Sequence, residues 1–498
     1  MRNIRPGIHS VCIACFGLLA GCAVGPDYKR PEVPVPEKFK ELEGWSKAMP
    51  ADAAPKGDWW TGFHDDLLDR LEPMVAVSNL TVRQSYANYQ QALAQVQVAR
   101  SELFPTLGLT GSASRSGGPG NSASAAASSV TGRGSVVSAG SLELSAGWTL
   151  DLWGQVRRLV EENSATAQAD EATLANATLS EQILLATTVI DLRASDASIA
   201  LQERAVEAYR ESLRVVQAQG SAGITATPPS AVISAQVALE TAQATLTGMG
   251  VARAQYAHAI AVLVGKNPEE LDIPRSTAMP TLPDVPIGLP SALLQRRPDI
   301  AAAERAMQAQ NAAIGVAVAA YYPTISLSAA GGFSQSPLDG LLRASNRIWS
   351  IGASGTENIV DFGYRSGEVL SARAAYEASV ASYRGTVLTA FESVENDLSG
   401  LRILAQEAEQ LEIAVRDANR ASEIALQEYQ AGTVDYTTVA VALETQIGDQ
   451  QTQLTVEQNR LLDAVSLIGD LGGGWSDSQL HDMHHQPAST PEKTQVGS

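Results

Sequence analysis

Cysteine is absent from most of this sequence. The three cysteines of the 498-residue chain are Cys12, Cys15 and Cys22. The rest of the chain can therefore form neither a disulfide nor a cysteine-ligated metal site. Positive charge is also scarce, because 35 basic residues stand against 54 acidic ones and give a formal net charge of −19. This balance argues against a basic face that binds nucleic acid or anionic lipid.

Long apolar runs and enzyme motifs are missing as well. After the first 22 residues the nearest candidate for a membrane-spanning helix, Ala312–Ala320, is much shorter than the ~20 residues that such a helix needs. The sequence contains no H-E-x-x-H, no phosphate-binding loop and no G-x-S-x-G. Gly265-Lys266-Asn267 predicts a helix end instead of a phosphate loop. We therefore expect no enzyme, no resident metal and no cofactor.

The chain begins with the pattern of an export signal. Arg2 and Arg5 form a basic start, and residues 11–20 form an apolar stretch that is too short to span a bilayer. Small residues follow in Leu19-Ala20-Gly21, directly before Cys22. This order predicts a signal peptide over residues 1–21.

A cysteine directly after Leu-Ala-Gly resembles the lipobox of bacterial lipoproteins. The resemblance implies that Cys22 becomes the new N-terminus and carries S-diacylglycerol and N-palmitoyl groups, the covalent lipid being the sole prosthetic group expected. The alternative is an ordinary signal peptide with a chance cysteine. Ala23 is not the Asp that resembles an inner-membrane retention signal, and this favours the outer membrane.

Two segments predict very long helices. Residues 153–219 contain no proline and only one glycine, and residues 368–431 contain only two glycines. The first segment alone would form a helix ~100 Å long. A soluble coiled coil would fit these segments equally well. In the second segment, apolar residues at alternating steps of four and three predict left-handed supercoiling against a neighbour; they are Val387, Phe391, Val394, Leu398, Leu401, Ala405 and Ala408.

Short stretches of alternating apolar and polar residues predict strands between the helices. They span residues 106–110, 141–150 and 324–328, with a weaker candidate over 348–356. The first and second stretches are separated by a glycine- and serine-rich span at residues 111–140, and the third and fourth by a similar span at 331–347. This arrangement predicts two hairpins with long loops.

The two halves of the chain repeat. LFPTL at residues 103–107 parallels YYPTI at 321–325, and DLWG at 151–154 parallels DFG at 361–363. VALET occurs identically at residues 237–241 and 441–445. Each half has the order short helix, strand, loop, strand, long helix, turn and helix, which predicts an internal twofold repeat.

Four alternating strands predict an incomplete membrane barrel. Known barrels need about eight strands or more, and an open sheet edge in lipid is too costly to persist. Two copies of the chain would supply eight strands and three copies twelve. Glu143 is expected to face the lumen, since its neighbours Leu142 and Leu144 take the lipid side. Trp148 would lie either in an interfacial aromatic girdle or at the junction of barrel and helices.

Several phrases resemble the outer membrane efflux protein family, the lipoprotein channels of tripartite exporters. They cover roughly residues 19–475. The most specific match is GLPS at 288–291, LQRRPDI at 294–300, AER at 303–305, IGVA at 314–317 and YPTISL at 322–327. Shorter matches are GPDY at 25–28, DWW at 58–60, GTVDY at 432–436 and LGGGW at 471–475.

The resemblance implies a TolC-like fold that is mainly α with a membrane β-barrel. Four strands per chain would be completed to a 12-stranded barrel in a homotrimer, and long coiled-coil helices would continue it as a periplasmic α-barrel. The implied function is that of a passive outer-membrane channel that exports small toxic compounds such as drugs, dyes and metals. The implied partners are a periplasmic adaptor (membrane fusion protein), an inner-membrane pump of the RND type and outer-membrane lipid, with no nucleic acid.

Two alternatives to this function stay open. One keeps the fold but makes the channel an export duct for a type I secreted polypeptide. The other is a periplasmic structural lipoprotein with a coiled-coil body and no pore. The expected domains are a signal peptide at 1–21, a lipidated extended linker at 22–60, a first repeat at 61–270, a Pro-rich linker at 271–290, a second repeat at 291–475 and a flexible tail at 476–498.

The GTVDY phrase supplies the candidate gate residue, Asp435. In the family this turn lies at the periplasmic tip, where acidic rings narrow the channel, so three copies of Asp435 would attract cations and repel anions. Its alternative role is to cap the helix that follows. Tyr429 and Arg420, on the preceding helix, are further candidates for a tip network through a hydrogen bond or an ion pair. Either residue would otherwise be an ordinary packing or surface residue.

Three features depart from the family pattern or lie outside it. The first-half turn at 219–229 is longer than its second-half counterpart and lacks the usual Asp after its glycine. The end of the fourth strand, Gly355-Thr356-Glu357-Asn358, is more polar than usual. His481, Asp482, His484 and His485 have a spacing that suits metal, but the polar tail around them predicts a flexible exposed end.

Overall fold

A computed structural model of the chain describes residues 23–36, 38–41, 58–117, 136–221, 229–283, 285 and 295–481. The signal peptide 1–21, Cys22, His484 and His485 lie outside these residues. None of the helices described combines the length and the apolar character that crossing a bilayer requires.

The described chain is mainly helical. Local capping defines several helix starts: the Asp65 carboxylate accepts the backbone N–H groups of Leu67 and Leu68, and the Asn79 side chain does the same for the next helix. The α-helices are α1 (Asp66–Ser78), α2 (Leu80–Ser101), α3 (Gln155–Ser221), α4 (Pro229–Leu263), α5 (Pro298–Ala319), α6 (Tyr364–Gln430) and α7 (Tyr436–Asp470).

The same helix lengths occur in the same order in both halves. Helices α2 and α5 have 22 residues each, α3 and α6 have 67, and α4 and α7 have 35. The two 67-residue helices are each ~100 Å long, which confirms both predicted long helices. The turn between α6 and α7 consists of residues 431–435, whereas residues 222–228, between α3 and α4, lie outside the described residues.

The long helices α3 and α6 organise the packing. The first part of α3 packs against α2 and α5, and its last part packs against α4 and α7. Helix α6 packs against α5 and α7. The largest apolar cluster lies midway along both long helices and includes Leu185, Ile190, Val387, Val394 and Leu398, all fully buried. Of the predicted heptad positions of α6, the five from Val387 to Leu401 are buried, and Ala405 and Ala408 are half-buried.

Four antiparallel strands form one sheet in the order β1 (Thr106–Gly117), β2 (Val136–Leu150), β3 (Thr324–Gln335) and β4 (Arg347–Thr356). The strands are longer than the alternation predicts, and the spans 111–140 and 331–347 are only partly loop. Their glycine, serine and alanine residues have no hydrophobic period to detect. They are nevertheless extended because each pairs along a continuous ladder with its neighbour.

The described residues 23–36 and 38–41 of the N-terminal segment are extended and contact the body at several points. The Tyr28 hydroxyl lies 3.4 Å from a Glu304 carboxylate oxygen, and Phe39 is buried in the central cluster. The linker predicted at 22–60 therefore ends too late, because Trp59 and Trp60 form a buried 3-10 turn of the core. Apolar contacts, which its many prolines do not reveal, hold this segment in place.

The first residues of the tail are bound as well. The His481 backbone N–H donates to the Glu171 carboxylate at 3.1 Å, and the His481 ring forms an ion-pair contact with the same carboxylate. Its carbonyl accepts a hydrogen bond from Gln168. His481, within the tail predicted from residue 476, therefore contacts α3. Residues 482–498 are outside the described chain.

Candidate functional site

The sheet has one apolar face and one face of mostly small polar residues. Paired residues on adjacent strands point to the same side of a sheet, so the registers assign each side chain to a face. The apolar face carries Leu107, Leu109, Leu142, Leu144, Trp148, Ile325, Leu327, Phe333, Trp349 and Ile351. The opposite face carries Thr110, Ser112, Ser141, Glu143, Ser145, Thr149, Ser326, Ser328, Ser354 and Thr356.

These faces suit lipid on one side and water on the other. Large apolar side chains such as Leu107, Trp349 and Ile351 are exposed in the single chain. Glu143 lies on the serine-rich face, opposite to Leu142 and Leu144, as the alternation predicts. The strand pairing therefore places the Glu143 carboxylate on the face opposite to the one that would contact lipid.

Trp148 lies where the sheet meets the helices. Its indole N–H donates to the Leu103 carbonyl at 3.0 Å, just beyond the end of α2. This contact favours the junction role among the two that the sequence leaves open. A similar junction residue, Trp153, donates to the Pro323 carbonyl at 2.8 Å and stacks on Tyr322 with ring centroids 4.9 Å apart.

The residues that follow Cys22 are fixed at this same junction. The Val24 N–H donates to the Trp153 carbonyl at 3.0 Å. The buried Arg158 guanidinium donates to the Val24 carbonyl at 3.1 Å and to the Asp27 carboxylate at 2.9 Å. Gly25 has φ +98°, and a Cβ there would lie 2.4 Å from the Gly315 Cα, so only glycine allows this approach. Val24 therefore lies beside the end of the sheet.

At the other end of the long helices, Asp435 caps α7. Its carboxylate accepts the backbone N–H and the hydroxyl of Thr438, each at 3.1 Å. The preceding helix α6 ends at Gln430, and Gly432, two residues later, has a φ of +77° that allows the chain to reverse. The capping role of Asp435 is thus visible in the structure, and the residue is exposed.

Tyr429 lies in the last turn of α6, at the tip, whereas Arg420 lies further back along the same helix. Tyr429 is buried and packs edge-to-face on Tyr436 with ring centroids 6.0 Å apart. Arg420 is exposed on α6, and its neighbour Asn419 accepts hydrogen bonds from Gln446 and Gln450. Gln446 lies ten residues after the first residue of α7, and therefore ~15 Å from the start of that helix. Within one chain, Arg420 is therefore not at the level of Asp435.

An open groove of about 760 Å³ runs beside Asp435 between α6 and α7. Ile424, Ala425 and Val441 give it an apolar floor, and Glu428 and Asp435 line it as well. The apolar cluster of the tip lies next to it and comprises Val215 and Val216 of α3 with Tyr429, Tyr436 and Val439. The tip thus combines a packed interior with an acidic surface.

A cluster of charged residues that sequence inspection missed joins α5, α6 and α7. Arg297 donates to Asp299 and to Asp470, each at 2.8 Å. Burial, together with the nearby charge of Asp470, raises the pKa of Asp397 well above its usual range. Arg297 and Asp299 belong to the LQRRPDI phrase, but Asp397 lies inside a long helix without any local signal.

The described residues contain no group of three or more His, Cys, Asp or Glu side chains placed to hold a metal ion. Of the histidine and aspartate cluster that the sequence suggests in the C-terminal tail, the described residues include only His481, whose ring contacts the Glu171 carboxylate. His484 and His485 lie outside the described part of the chain.

The fold and its surfaces define a class: an elongated helical body continued by a sheet that has a lipid-compatible face and a water-compatible face. Comparison with known proteins gives the family. The family model described as "Outer membrane efflux protein" matches residues 73–266 and 289–473. The chain belongs to the outer membrane efflux protein family, whose members are channel proteins of the outer membrane.

Individual relatives match over nearly their whole length. The antibiotic efflux pump outer membrane protein ArpC of Pseudomonas putida is 30% identical over 493 residues, which cover 97% of this chain and 99% of the relative. The solvent efflux pump outer membrane protein SrpC of Pseudomonas putida is 31% identical over 475 residues, covering 93% and 97%. The solved structure of the outer-membrane channel OprN is similar with a TM-score of 0.82 at 29% identity, covering 91% of this chain and 100% of that one.

Proposed function

We propose that three copies of this chain close a 12-stranded barrel in the outer membrane and form an efflux duct across the periplasm. The observation that carries the proposal is the four-stranded sheet with an apolar and a polar face, whose edge strands β1 and β4 each have one side unpaired within the described residues. Such a sheet is unstable in lipid until its edges are paired. Three sheets give twelve strands, and the six ~100 Å helices α3 and α6 of the trimer surround the duct.

The matching halves support an internal duplication. Both contain helices of 22, 67 and 35 residues in the same order, and both contribute one hairpin to the sheet. A duplicated subunit arranged as a trimer has six similar units around the axis. This arrangement suits a tube of nearly uniform wall.

Lipid on Cys22 would attach the chain to the membrane beside its own barrel. The anchored arrangement is supported by Val24, which hydrogen-bonds to Trp153 where β2 leads into α3. Two or three acyl chains bind a bilayer firmly, whereas a single one is marginal. The anchor and the apolar face of the sheet would then enter the same leaflet.

Small toxic compounds are the proposed cargo. Relatives of this length are named for the efflux of antibiotics and of solvent. The polar face of the sheet is built mainly from serine, threonine, glycine and alanine, which offers a wide passage with few specific binding groups. Energy and selection would come from an inner-membrane pump of the RND type, connected by a periplasmic adaptor at the α6–α7 and α3–α4 turns.

Deletion of the gene, followed by a susceptibility panel of antibiotics, dyes, detergents, solvents and metal salts, tests this function. We expect hypersensitivity that the intact gene restores, and ion conductance when the purified protein is added to planar lipid bilayers. An unchanged susceptibility profile with altered exported proteins would indicate a polypeptide duct. Absence of both a trimer and a conductance would indicate a structural lipoprotein.

A further inference from the structure

The four strands carry little charge, and the charge they carry is sorted by face. Their charged side chains are Arg115 on β1, Glu143 on β2 and Arg347 on β4. Glu143 lies on the polar face. Arg115 lies an even number of residues after Leu107 and therefore shares the apolar face. Arg347 pairs with Phe333 and shares that face as well. Within these strands, the face suited to lipid thus carries two cations and no carboxylate.

Both arginines lie at the end of the sheet that is remote from the helices. Arg115 is nine residues from Thr106, the first residue of β1, and Arg347 is nine residues from Thr356, the last residue of β4. Nine residues span ~30 Å along a strand, which is ~23 Å of height at a strand tilt of ~40°. The apolar band of a membrane barrel is ~25 Å tall. The two arginines therefore lie at the level where such a band ends.

The loop between β3 and β4 brings a third arginine to this end of the sheet. Gly140 of β2 leaves room for Leu338 of the loop, since a Cβ at Gly140 would lie 2.1 Å from the Leu338 Cδ1. That Cβ would point to the apolar face, so the loop folds over this face. The Arg343 N–H donates to the Gly340 carbonyl at 3.0 Å, and the Asn346 side chain donates to the same carbonyl at 2.8 Å. These bonds hold Arg343 in the loop beside the strands.

The three arginines can bind an external anion. Each is exposed, and each lacks an ion-pair partner among the residues that the structure describes. Arg347 donates its Nε–H to the Ala344 carbonyl at 3.1 Å, which uses one of the five N–H groups of its guanidinium. Asp339 is the sole acidic residue of the loop at 336–346. The formal net charge of −19 therefore does not describe this end of the sheet, where cations predominate.

We propose that the remote end of the apolar face binds the phosphate groups of outer-leaflet lipid through Arg115, Arg343 and Arg347. The inference rests on the barrel of the proposed function, which puts the helices in the periplasm and this end of the sheet in the outer leaflet. Guanidinium groups bind phosphate through paired, charge-assisted hydrogen bonds.

The apolar neighbours of the arginines favour a lipid phosphate over a free one. Trp349 lies two residues from Arg347 on the same face and is 79% exposed, and Leu342 in the loop is 66% exposed. A lipid bound by its phosphate would cover these side chains with its acyl chains, and a tryptophan at the end of the apolar band is typical of this boundary. Free phosphate would leave the same surface in water.

Lipid titration of the purified wild-type trimer in detergent, read by native mass spectrometry, tests the ligand class. The probes are diphosphoryl lipid A, zwitterionic phosphatidylethanolamine and inorganic phosphate. We expect lipid A to bind most tightly, to bind more weakly as salt rises from ~50 to ~500 mM, and to resist displacement by an equimolar amount of inorganic phosphate. Equal binding of phosphatidylethanolamine, a salt-independent affinity, or displacement by equimolar phosphate would overturn the proposal.

Substitution of the strand arginines tests the residues. Each arginine beside an anionic lipid surface is worth about a fivefold change in affinity, so we expect lipid A to bind about fivefold more weakly to Arg115→Gln or Arg347→Gln and about 25-fold more weakly to the double variant. The matched control is Arg210→Gln with Arg214→Gln, which removes the same charge from α3, where each arginine contacts a glutamate. We expect this control to bind lipid A as the wild type does.

The outcomes separate this inference from the proposed function. Equal affinity of the wild type and the double strand variant, or an equal loss in the α3 control, would overturn the lipid site while the trimer and its conductance remain. Failure of the wild-type protein to form a trimer or to conduct ions would overturn the proposed function itself. If the double strand variant does not assemble, the salt titration of the wild type still decides the proposal.

Discussion

At the scale of single residues, Asp435 caps a helix and is also the candidate gate residue of the proposed duct. The cap on α7 occupies one carboxylate oxygen, with Thr438 N–H and hydroxyl as donors. The residue is exposed at the turn between α6 and α7. In a trimer, three such carboxylates would lie around one axis and favour cations.

Two substitutions separate these roles. Asp435→Asn keeps a capping side chain and removes the charge, so we expect normal trimer stability with a weaker cation preference. Asp435→Ala removes both, and loss of the cap costs ~1 kcal/mol per chain. Reversal potentials in salt gradients and melting temperatures measure the two effects. An unchanged reversal potential in both variants would restrict Asp435 to capping.

Cys22 gives the second residue-scale prediction. Cys22→Ser is expected to abolish incorporation of labelled palmitate, because the acylated sulfur is gone. Cys15→Ser is the matched control, since this cysteine belongs to the expected signal peptide and should leave labelling unchanged. Continued labelling of the Cys22 variant would disprove the lipobox.

At the scale of elements, α1 contains a buried carboxyl group. Glu72 is 0% exposed in the core against α3, and neither carboxylate oxygen has a hydrogen-bond partner within the described residues. Burial raises the pKa of Glu72 to about 9. The side chain is therefore neutral in the folded protein at pH 7 and charged in the unfolded chain.

This difference in charge determines whether the stability of the folded protein rises or falls with pH. The folded protein holds the proton between the unfolded pKa and about pH 9, so stability falls as pH rises through this window. At pH 7 the resulting loss in the free energy of unfolding amounts to about 3 kcal/mol. Glu72→Gln is expected to remove it: melting temperatures of variant and wild type should agree near pH 5 and diverge at pH 7 and 9, with the variant higher. Parallel profiles would contradict a buried neutral Glu72.

Element prediction from sequence worked best where the hydrophobic period was strong. The long helices and the heptad positions Val387, Val394 and Leu398 followed directly from spacing. The outer parts of the strands did not, because residues 111–117 and 331–335 are mostly glycine and serine and their extended state comes from pairing with β2 and β4. The contacts of the N-terminal segment with the helices were not predicted either, because they join residues far apart in sequence, such as Arg158 and Asp27.

At the scale of the whole molecule, the repeated phrases predicted two similar halves and the alternation predicted an incomplete barrel. The structure adds what spacing alone could not supply: the strand order, the registers and the position of the free edges. Only part of the candidate site could be predicted from the sequence. Asp435 lay in a recognisable phrase, whereas Asp397 and Glu72 became visible only through burial.

The two unpaired edges have a kinetic consequence. A newly exported chain carries an apolar sheet face and open hydrogen-bonding groups, which makes it prone to aggregation while it is alone. Because the proposed barrel needs three molecules to meet, the yield of finished pores is expected to depend steeply on the supply of subunits. A lipid tether that confines chains to one surface would raise their local concentration there. Anchoring would then act mainly on how quickly pores are completed, and less on how they hold together afterwards.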